Sequence, residues 1–238
     1  MRPFLRKWEE LPDKMRIPEV RPYWDALNER YGQLVAKRAF DVLGSVGLLA
    51  VLSPAMAAAA IAIKVDSPGP VMYRQERVTQ YGKRFRIHKF RTMVVNADKM
   101  GALVTSDRDP RITRVGEFLR KYRIDEFPQL IDVLVGDMSF VGTRPEVQKY
   151  VDAYEPEWLA TLLLPAGVTS RASIEFKDEA ELISGVENTD EAYVRLVLPK
   201  KMKLNLASLT DASLVGDFKD ILGTVSSVFL SRMAEGEV

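Results

Sequence analysis

Residues 42–63 read VLGSVGLLAVLSPAMAAAAIAI, an uncharged and mostly apolar run with Ser53-Pro54 near its middle. The rest of the chain is as charged as a soluble enzyme. As a straight helix the run would measure about 33 Å, enough to cross the hydrocarbon core of a bilayer. Lys37 and Arg38 flank it on one side; Lys64, Arg74, Arg77, Lys83 and Arg84 follow on the other. Basic flanks stay on the cytoplasmic side of a membrane, and a helix passing straight through cannot keep both there. A helix that enters, breaks at Pro54 and returns can do so, because proline lacks an N–H and clashes with the preceding turn. Ser53 is placed to satisfy part of the freed backbone polarity, which must find partners inside lipid. Three readings stand on these residues alone: a single-pass anchor, a re-entrant helix, and a buried helical hairpin.

Composition narrows the rest. The 238 residues suit one medium globular domain with appendages, and a net charge of +1 leaves no surplus for binding nucleic acid. Positive charge is local, concentrated between Lys64 and Arg123. Without cysteine there are no disulfides, thiolate metal sites or Cys nucleophiles, and with His88 as the only histidine the ligands of a zinc site are lacking. Neither a Walker A loop nor Gly-x-Gly-x-x-Gly is present. The apolar run starts too late and is too long to resemble a cleaved signal peptide.

Residues 1–20, rich in proline and charge, read as an irregular lead-in. From Arg21 onward Trp24, Leu27, Tyr31, Leu34 and Val35 share a helical face, which suits either the headgroup layer or packing on a domain. Asp66-Ser67-Pro68-Gly69-Pro70 is a turn cluster. Residues 71–78 and 84–94 read as strands, the second carrying an unusual density of cations. A short helix is expected at 96–102 and a loop at 107–110. Helical spacing returns at 115–122 and 127–134, ending at Gly136. Residues 137–145 read as a loop, 168–174 as a short strand, and 193–206 and 214–229 as amphipathic helices.

Between two of these helical stretches lies Asp125-Glu126. Asp125 reads as the N-cap of a helix beginning at Glu126, with Pro128 in its first turn. Helix N-termini favour phosphate and hold a carboxylate ionised, fit to attack or to bind a metal. Two adjacent carboxylates suit Mg²⁺, which completes its shell with water and phosphate oxygens. Arg120 and Arg123 precede the pair, Lys89 and Arg91 lie on the cationic strand, and Arg144 sits in the Gly142-Thr143-Arg144-Pro145 turn. Such a set around carboxylates suggests phosphoryl chemistry on a lipid. His88 reads as a structural strand residue. The competing reading is a non-catalytic scaffold that holds an anionic partner on the cationic strand.

The order of short motifs resembles the bacterial sugar transferases, the monotopic phosphoglycosyl transferases. The pieces are Lys37-Arg38-Ala39-Phe40-Asp41 before the apolar run, Ser67-Pro68-Gly69-Pro70-Val71, Tyr73-Arg74-Gln75-Glu76-Arg77-Val78 and His88-Lys89-Phe90-Arg91-Thr92-Met93. Asp109-Pro110-Arg111, Asp125-Glu126-Phe127-Pro128-Gln129-Leu130 and the stretch from Gly136 to Pro145 follow in order. The resemblance implies an α+β fold: a compact catalytic domain, residues 67–238, with short strands and amphipathic helices. It would sit on a re-entrant membrane helix, residues 37–66, broken at Ser53-Pro54 and preceded by residues 1–36. It implies transfer of a sugar phosphate from a UDP-sugar to a polyprenol phosphate with release of UMP, as the first membrane step of glycan or exopolysaccharide assembly.

By the same resemblance Asp125 is the nucleophile that forms a covalent phosphosugar intermediate, and Glu126 is catalytic. Asp125 and Glu126 would hold Mg²⁺. Lys89 and Arg120 would surround the phosphates, and Arg144 and Pro145 would help bind the nucleotide; Arg91, from its place on the cationic strand, is counted with the substrate-binding residues. The setting implied is the cytoplasmic face of the bacterial inner membrane, with the lipid bilayer as a partner. Three positions depart from the family pattern: Thr143 in place of a proline, Arg123 in place of a small polar residue, and the segment 166–179, where donor choice is expected to lie. No large membrane bundle precedes the core in this chain, so it resembles the small form of the family. The sequence sets neither the sugar nor the oligomeric state.

Overall fold

The computed structural model describes residues 4–97, 100, 109–176 and 189–235 of the chain. Helix α1 (Arg21–Glu29) leads into α2 (Tyr31–Asp66), which contains the whole apolar run. A hairpin of β1 (Met72–Val78) and β2 (Arg84–Phe90) follows, antiparallel, with Met72 opposite Phe90 and Val78 opposite Arg84. Helices α3 (Arg114–Lys121) and α4 (Gln129–Val135) come next, then β3 (Met138–Val141) and α5 (Gln148–Val151). Strand β4 (Ala166–Thr169) pairs with β3 in parallel, and α6 (Arg171–Glu175) follows. The chain finishes with α7 (Thr189–Ala192), a π-helical turn (Tyr193–Val197), α8 (Leu198–Thr210) and α9 (Leu214–Glu235). This is a mixed α and β architecture with small sheets and one long apolar helix, as the sequence suggests.

The sequence reading breaks α2 at Ser53-Pro54; instead helical structure continues through Pro54. The reason is local. Pro54 has no N–H to give to the carbonyl of Ala50, and the Ser53 hydroxyl donates to that carbonyl instead, at 2.9 Å. The alanine-rich stretch after it is strongly helix-forming. By length and composition α2 is able to cross a membrane.

Both ends of α2 are fastened to the same globular body. Near its start, Arg38 donates to the carbonyls of Val133 (2.6 Å) and Leu134 (2.8 Å), closing the C-terminus of α4 where a cation is favoured. The Asp41 carboxylate accepts from the N–H of Phe140 in β3, and Lys37 pairs with Asp217 in α9. At its end, Asp66 accepts from the N–H of Val115 in the first turn of α3. Ala59 and Ile63 join Phe90 and Leu119 in a small core. Between Ser45 and Ala59, both buried, no residue of α2 is buried.

Residues 4–30 are no loose lead-in. Leu5, Met15, Val20 and Leu27 are each 1% exposed or less, packed in the largest core with Trp158, Tyr193, Val197, Leu198 and Met202. Arg21 lies between the rings of Trp8 and Trp24, and the Gln80 amide donates to the carbonyls of Phe4 and Leu163. Of the two settings open to α1, packing on the domain is the one found. A third core joins the hairpin to the second sheet through Phe85, Ile87, Val133, Met138 and Ala166.

Two local expectations change. Residues 138–141, read as loop, form β3, whose partner lies far downstream. Residues 171–174, read as strand, turn into α6, because Ser170 caps a helix by accepting from the N–H of Ser173 at 3.0 Å. The helix expected at 96–102 lies largely outside the described residues.

Candidate active site

The acidic pair sits in a tight connection between α3 and α4. Helix α3 closes at Tyr122, and Arg123 then takes a left-handed conformation with φ +54°, a costly one for a residue with a side chain. This reversal starts a single 3₁₀ turn, Ile124–Glu126. Pro128 follows, and only after it does α4 begin, at Gln129. Asp125 is therefore the middle residue of a 3₁₀ turn and not the N-cap of a helix starting at Glu126. Pro128 explains the difference: its missing N–H keeps the α-helical ladder from reaching back past it. Gly136, with φ +91°, ends α4 as expected.

Two elements converge on Glu126. Lys89 from β2 donates to its Oε1 at 2.8 Å, and Arg144 from the turn after β3 donates to the same oxygen at 2.6 Å. Burial alone would raise the Glu126 pKa, but Arg144 and Lys89 outweigh it and hold the carboxyl well below its usual range. Asp125 goes the other way. Burial and the adjacent Glu126 charge push it up to about 6, against the pull of Lys89, Arg120 and Arg123. The negative charge thus settles on Glu126, and Asp125 carries the proton that titrates. The expectation that a helix end holds Asp125 ionised gives way to this division, which tertiary burial imposes.

Arg120 lies on the Asp125 side. Its Nε donates to Thr92 Oγ1 at 3.0 Å, and the charges of Asp125 and Asp109 favour its cationic form against burial. That position depends on Gly116, because a Cβ there would fall 2.0 Å from the Thr92 carbonyl oxygen. Arg111 grips Asp109 with its guanidinium, and those hydrogen bonds hold the Asp109 carboxyl down at about 2. Pro145 is buried, and its carbonyl accepts from Arg77 at 3.2 Å. On the far side of the turn, Gly167 approaches Gly142 so closely that a Cβ would lie 2.1 Å from the Gly142 nitrogen.

Arg91 is not part of this assembly. It is 5% exposed and donates to the carbonyls of Ser67 and Pro68, fastening the turn that follows α2. β2 ends at Phe90, and although the Arg91 N–H still donates to the carbonyl of Val71 at 2.9 Å, its guanidinium is taken up by the turn and not by Glu126. His88 is held as a structural residue: its N–H donates to Asp132 Oδ2 at 2.9 Å and its Nδ1 lies 2.6 Å from Asp132 Oδ1.

Mg²⁺ commonly takes one or two carboxylates and completes its shell with waters and phosphate oxygens. Asp125 beside Glu126 supplies that number, and among the described residues no group of three or more ligating side chains forms a closed cage. The donor set fits an ion that arrives with a diphosphate.

Glu126, clasped by Lys89 and Arg144, and Asp125 beside it thus sit on an α and β domain that grips one apolar helix. A model of the bacterial sugar transferase family matches residues 32–231, and the chain belongs to that family. It is similar to the UDP-N-acetylgalactosamine-undecaprenyl-phosphate N-acetylgalactosaminephosphotransferase of Aeromonas hydrophila, 49% identical over 51% of this chain and 29% of that protein. It is also similar to the UDP-glucose:undecaprenyl-phosphate glucose-1-phosphate transferases of Escherichia coli and Caulobacter vibrioides. The first is 32% identical over 93% of this chain and 46% of that protein. The second is 36% identical over 83% of this chain and 71% of that protein. The chain thus spans less than half the length of the Aeromonas and Escherichia relatives. The family match begins after residues 4–31, which are nevertheless built into the largest core.

Proposed function

We propose that this chain transfers a sugar phosphate from a UDP-sugar to a polyprenol phosphate in two displacements at Asp125. The observation that carries the reading is the asymmetry of the acidic pair: Glu126 is tied to Lys89 and Arg144, while Asp125, beside it, makes no part of that clasp. In the first displacement an Asp125 carboxylate oxygen attacks the phosphorus that bears the sugar. The bond from that phosphorus to the bridging oxygen breaks, and UMP leaves with the electron pair. In the second, an oxygen of the polyprenol phosphate attacks the same phosphorus and the Asp125 carboxylate is released. No proton need move in either step once Asp125 is ionised. Splitting one transfer into two lets a water-soluble donor and a lipid acceptor use one site in turn.

Lys89, Arg120 and Arg144 orient the diphosphate and offset the charge that develops on UMP. Glu126 keeps Lys89 and Arg144 in place before substrate arrives. Bound Mg²⁺, held by Asp125 and Glu126, would supply charge neutralisation on the departing phosphate. The printed names of the relatives, which act on undecaprenyl phosphate, support the choice of acceptor.

The membrane arrangement follows from α2. A polar domain that holds Asp41 and Asp66 at opposite ends of the apolar stretch lies on one side of a bilayer, so both ends lie there too. The exposed middle then enters from that side. Entry and return by one continuous helix call for a bend near Pro54, where the missing N–H loosens the ladder; from Ser45 to Pro54 is about 13 Å of helix, less than half of a core of roughly 30 Å, so a tip there reaches one leaflet at most. The basic flanks favour the cytoplasmic face.

The test uses the full chain in nanodiscs carrying undecaprenyl phosphate, with Mg²⁺ and a panel of radiolabelled UDP-sugars. UMP release coupled to lipid labelling is expected with at least one donor, together with an aspartyl phosphosugar adduct seen by intact mass when the acceptor is omitted. Full lipid labelling by Asp125→Asn would sink the reading.

A further inference from the structure

Arg144 is only as well placed as the turn that carries it, and that turn is held from beneath by a buried polar network outside the clasp. Glu146, two residues on, is 7% exposed. Its backbone carbonyl accepts from the N–H of Val78 at the end of β1, at 2.9 Å. Its side chain accepts from the Tyr193 hydroxyl at 2.6 Å. Lys201, 4% exposed, donates to the Tyr193 hydroxyl at 2.9 Å and lies 3.6 Å from Glu146 Oε1. Arg77 donates to the carbonyl of Pro145, between Arg144 and Glu146.

The backbone of the C-terminal helices is shaped for this meeting. Tyr193 and Lys201 are eight residues apart. In a regular α-helix that separation sets two side chains about 80° apart. The π-helical turn Tyr193–Val197 intervenes. A π-bulge takes up one extra residue, which brings the two positions to within about 20° of each other. Tyr193 is also stacked on Tyr150, with ring centroids 4.7 Å apart. An ion pair so deeply buried gains little stability over an apolar replacement. Its yield is geometry: the position of one turn.

We propose that Glu146, Tyr193 and Lys201 are positioning residues for Arg144. Through them the C-terminal helices set the guanidinium that meets Glu126 and the donor nucleotide. This rests on the proposed function for its kinetic consequence but not for its geometry. Tyr193 removes no charge and touches no reacting atom; it acts through Glu146 and the turn.

The experiment pairs kinetics with a spectroscopic probe of Arg144 itself. In nanodiscs, Tyr193→Phe and Lys201→Met are each expected to lower kcat/KM for the UDP-sugar about tenfold, and Lys201→Arg to recover most of that loss. In an Arg144→Ala background Tyr193→Phe is expected to add no more than a twofold loss, because its effect runs through the side chain already removed. A general structural defect would instead multiply. Independently, the ¹⁵N arginine side-chain spectrum, with Arg144 assigned from Arg144→Lys, is expected to lose or shift the Arg144 signal in Tyr193→Phe. An unchanged Arg144 signal, or a full tenfold loss on top of Arg144→Ala, overturns the proposal. If the wild type releases no UMP with any donor while Tyr193→Phe still shifts Arg144, the proposed function fails and the positioning role stands.

Discussion

Asp125→Asn should abolish transfer and, at the same time, make the folded protein more stable. The carboxyl rises from 3.8 to about 6 on folding because burial and Glu126 disfavour its charge. The native state therefore binds this proton more tightly than the unfolded chain. The group's contribution is fully present below its unfolded pKa and is lost as pH climbs through about 6. A shift of that size corresponds to roughly 3 kcal/mol at pH 7.5, the strain of holding the anion there. Asparagine has nearly the same shape and carries no charge, so it escapes that strain. In detergent with EDTA, the melting temperature of Asp125→Asn should exceed the wild type by roughly 6–12 °C at pH 7.5. The gap should shrink to about a third by pH 4.5 and close only below about 3.8, where the carboxyl is protonated in the unfolded chain as well. Added Mg²⁺ should raise the wild type and leave the variant unmoved, narrowing the gap from below. A variant that melts at or below the wild type at pH 7.5, or whose advantage is equal at both pH values, would refute the placement of the strain on Asp125.

The remaining expectations concern the neighbours of the pair and the helix. The pH–rate profile of the wild type should rise through about 6 as Asp125 ionises. In Arg123→Gly that limb should move upward, because a nearby positive charge is gone, while folding holds because glycine accepts the left-handed backbone. Gly116→Ala should lose about 1–3 kcal/mol of stability by overpacking. It should lose activity beyond that, because α3 must move off Thr92 and carry Arg120 with it; unchanged kinetics would discount the role of Arg120. Ala36→Cys and Val65→Cys, on either side of the apolar stretch, are single thiols in a cysteine-free chain. Both should react with an impermeant maleimide from the same face of sealed vesicles, and reaction from opposite faces would reject re-entry.

Much of the fold was legible where signals are local. The hairpin of β1 and β2, helices α3 and α4, the stop at Gly136 and the two amphipathic C-terminal helices all follow from periodicity and turn residues. Strand β3 was not legible, because Met138–Val141 is four residues long between turn formers and its parallel partner, Ala166–Thr169, lies across a long crossover. The packing of the first residues was hidden for another reason. Leu5, Leu11, Met15 and Val20 follow no helical or strand period, so nothing marks them as core. At the site, motif order brought Asp125, Glu126, Lys89, Arg120 and Arg144 into view. The pair's protonation was not readable, since burial sets it. Lys89 and Arg91 look alike in the sequence, and only the folded turn shows the Arg91 guanidinium taken up by the carbonyls of Ser67 and Pro68. Nothing in the sequence singles out Glu146, and Tyr193 with Lys201 carry no usable signal, since only a π turn puts them on one face.

The woven N-terminus also dictates an order of events during synthesis. The first core residues wait for Trp158, Tyr193 and Met202, so the largest core closes only when nearly the whole chain has left the ribosome. The greasy helix emerges well before that, and at elongation speeds of roughly 5–20 residues per second it waits about 7–27 s for the core to close. A nascent chain in that condition is exposed to aggregation. On the membrane arrangement proposed above, lipid captures the helix first, and the domain closes around both of its ends second.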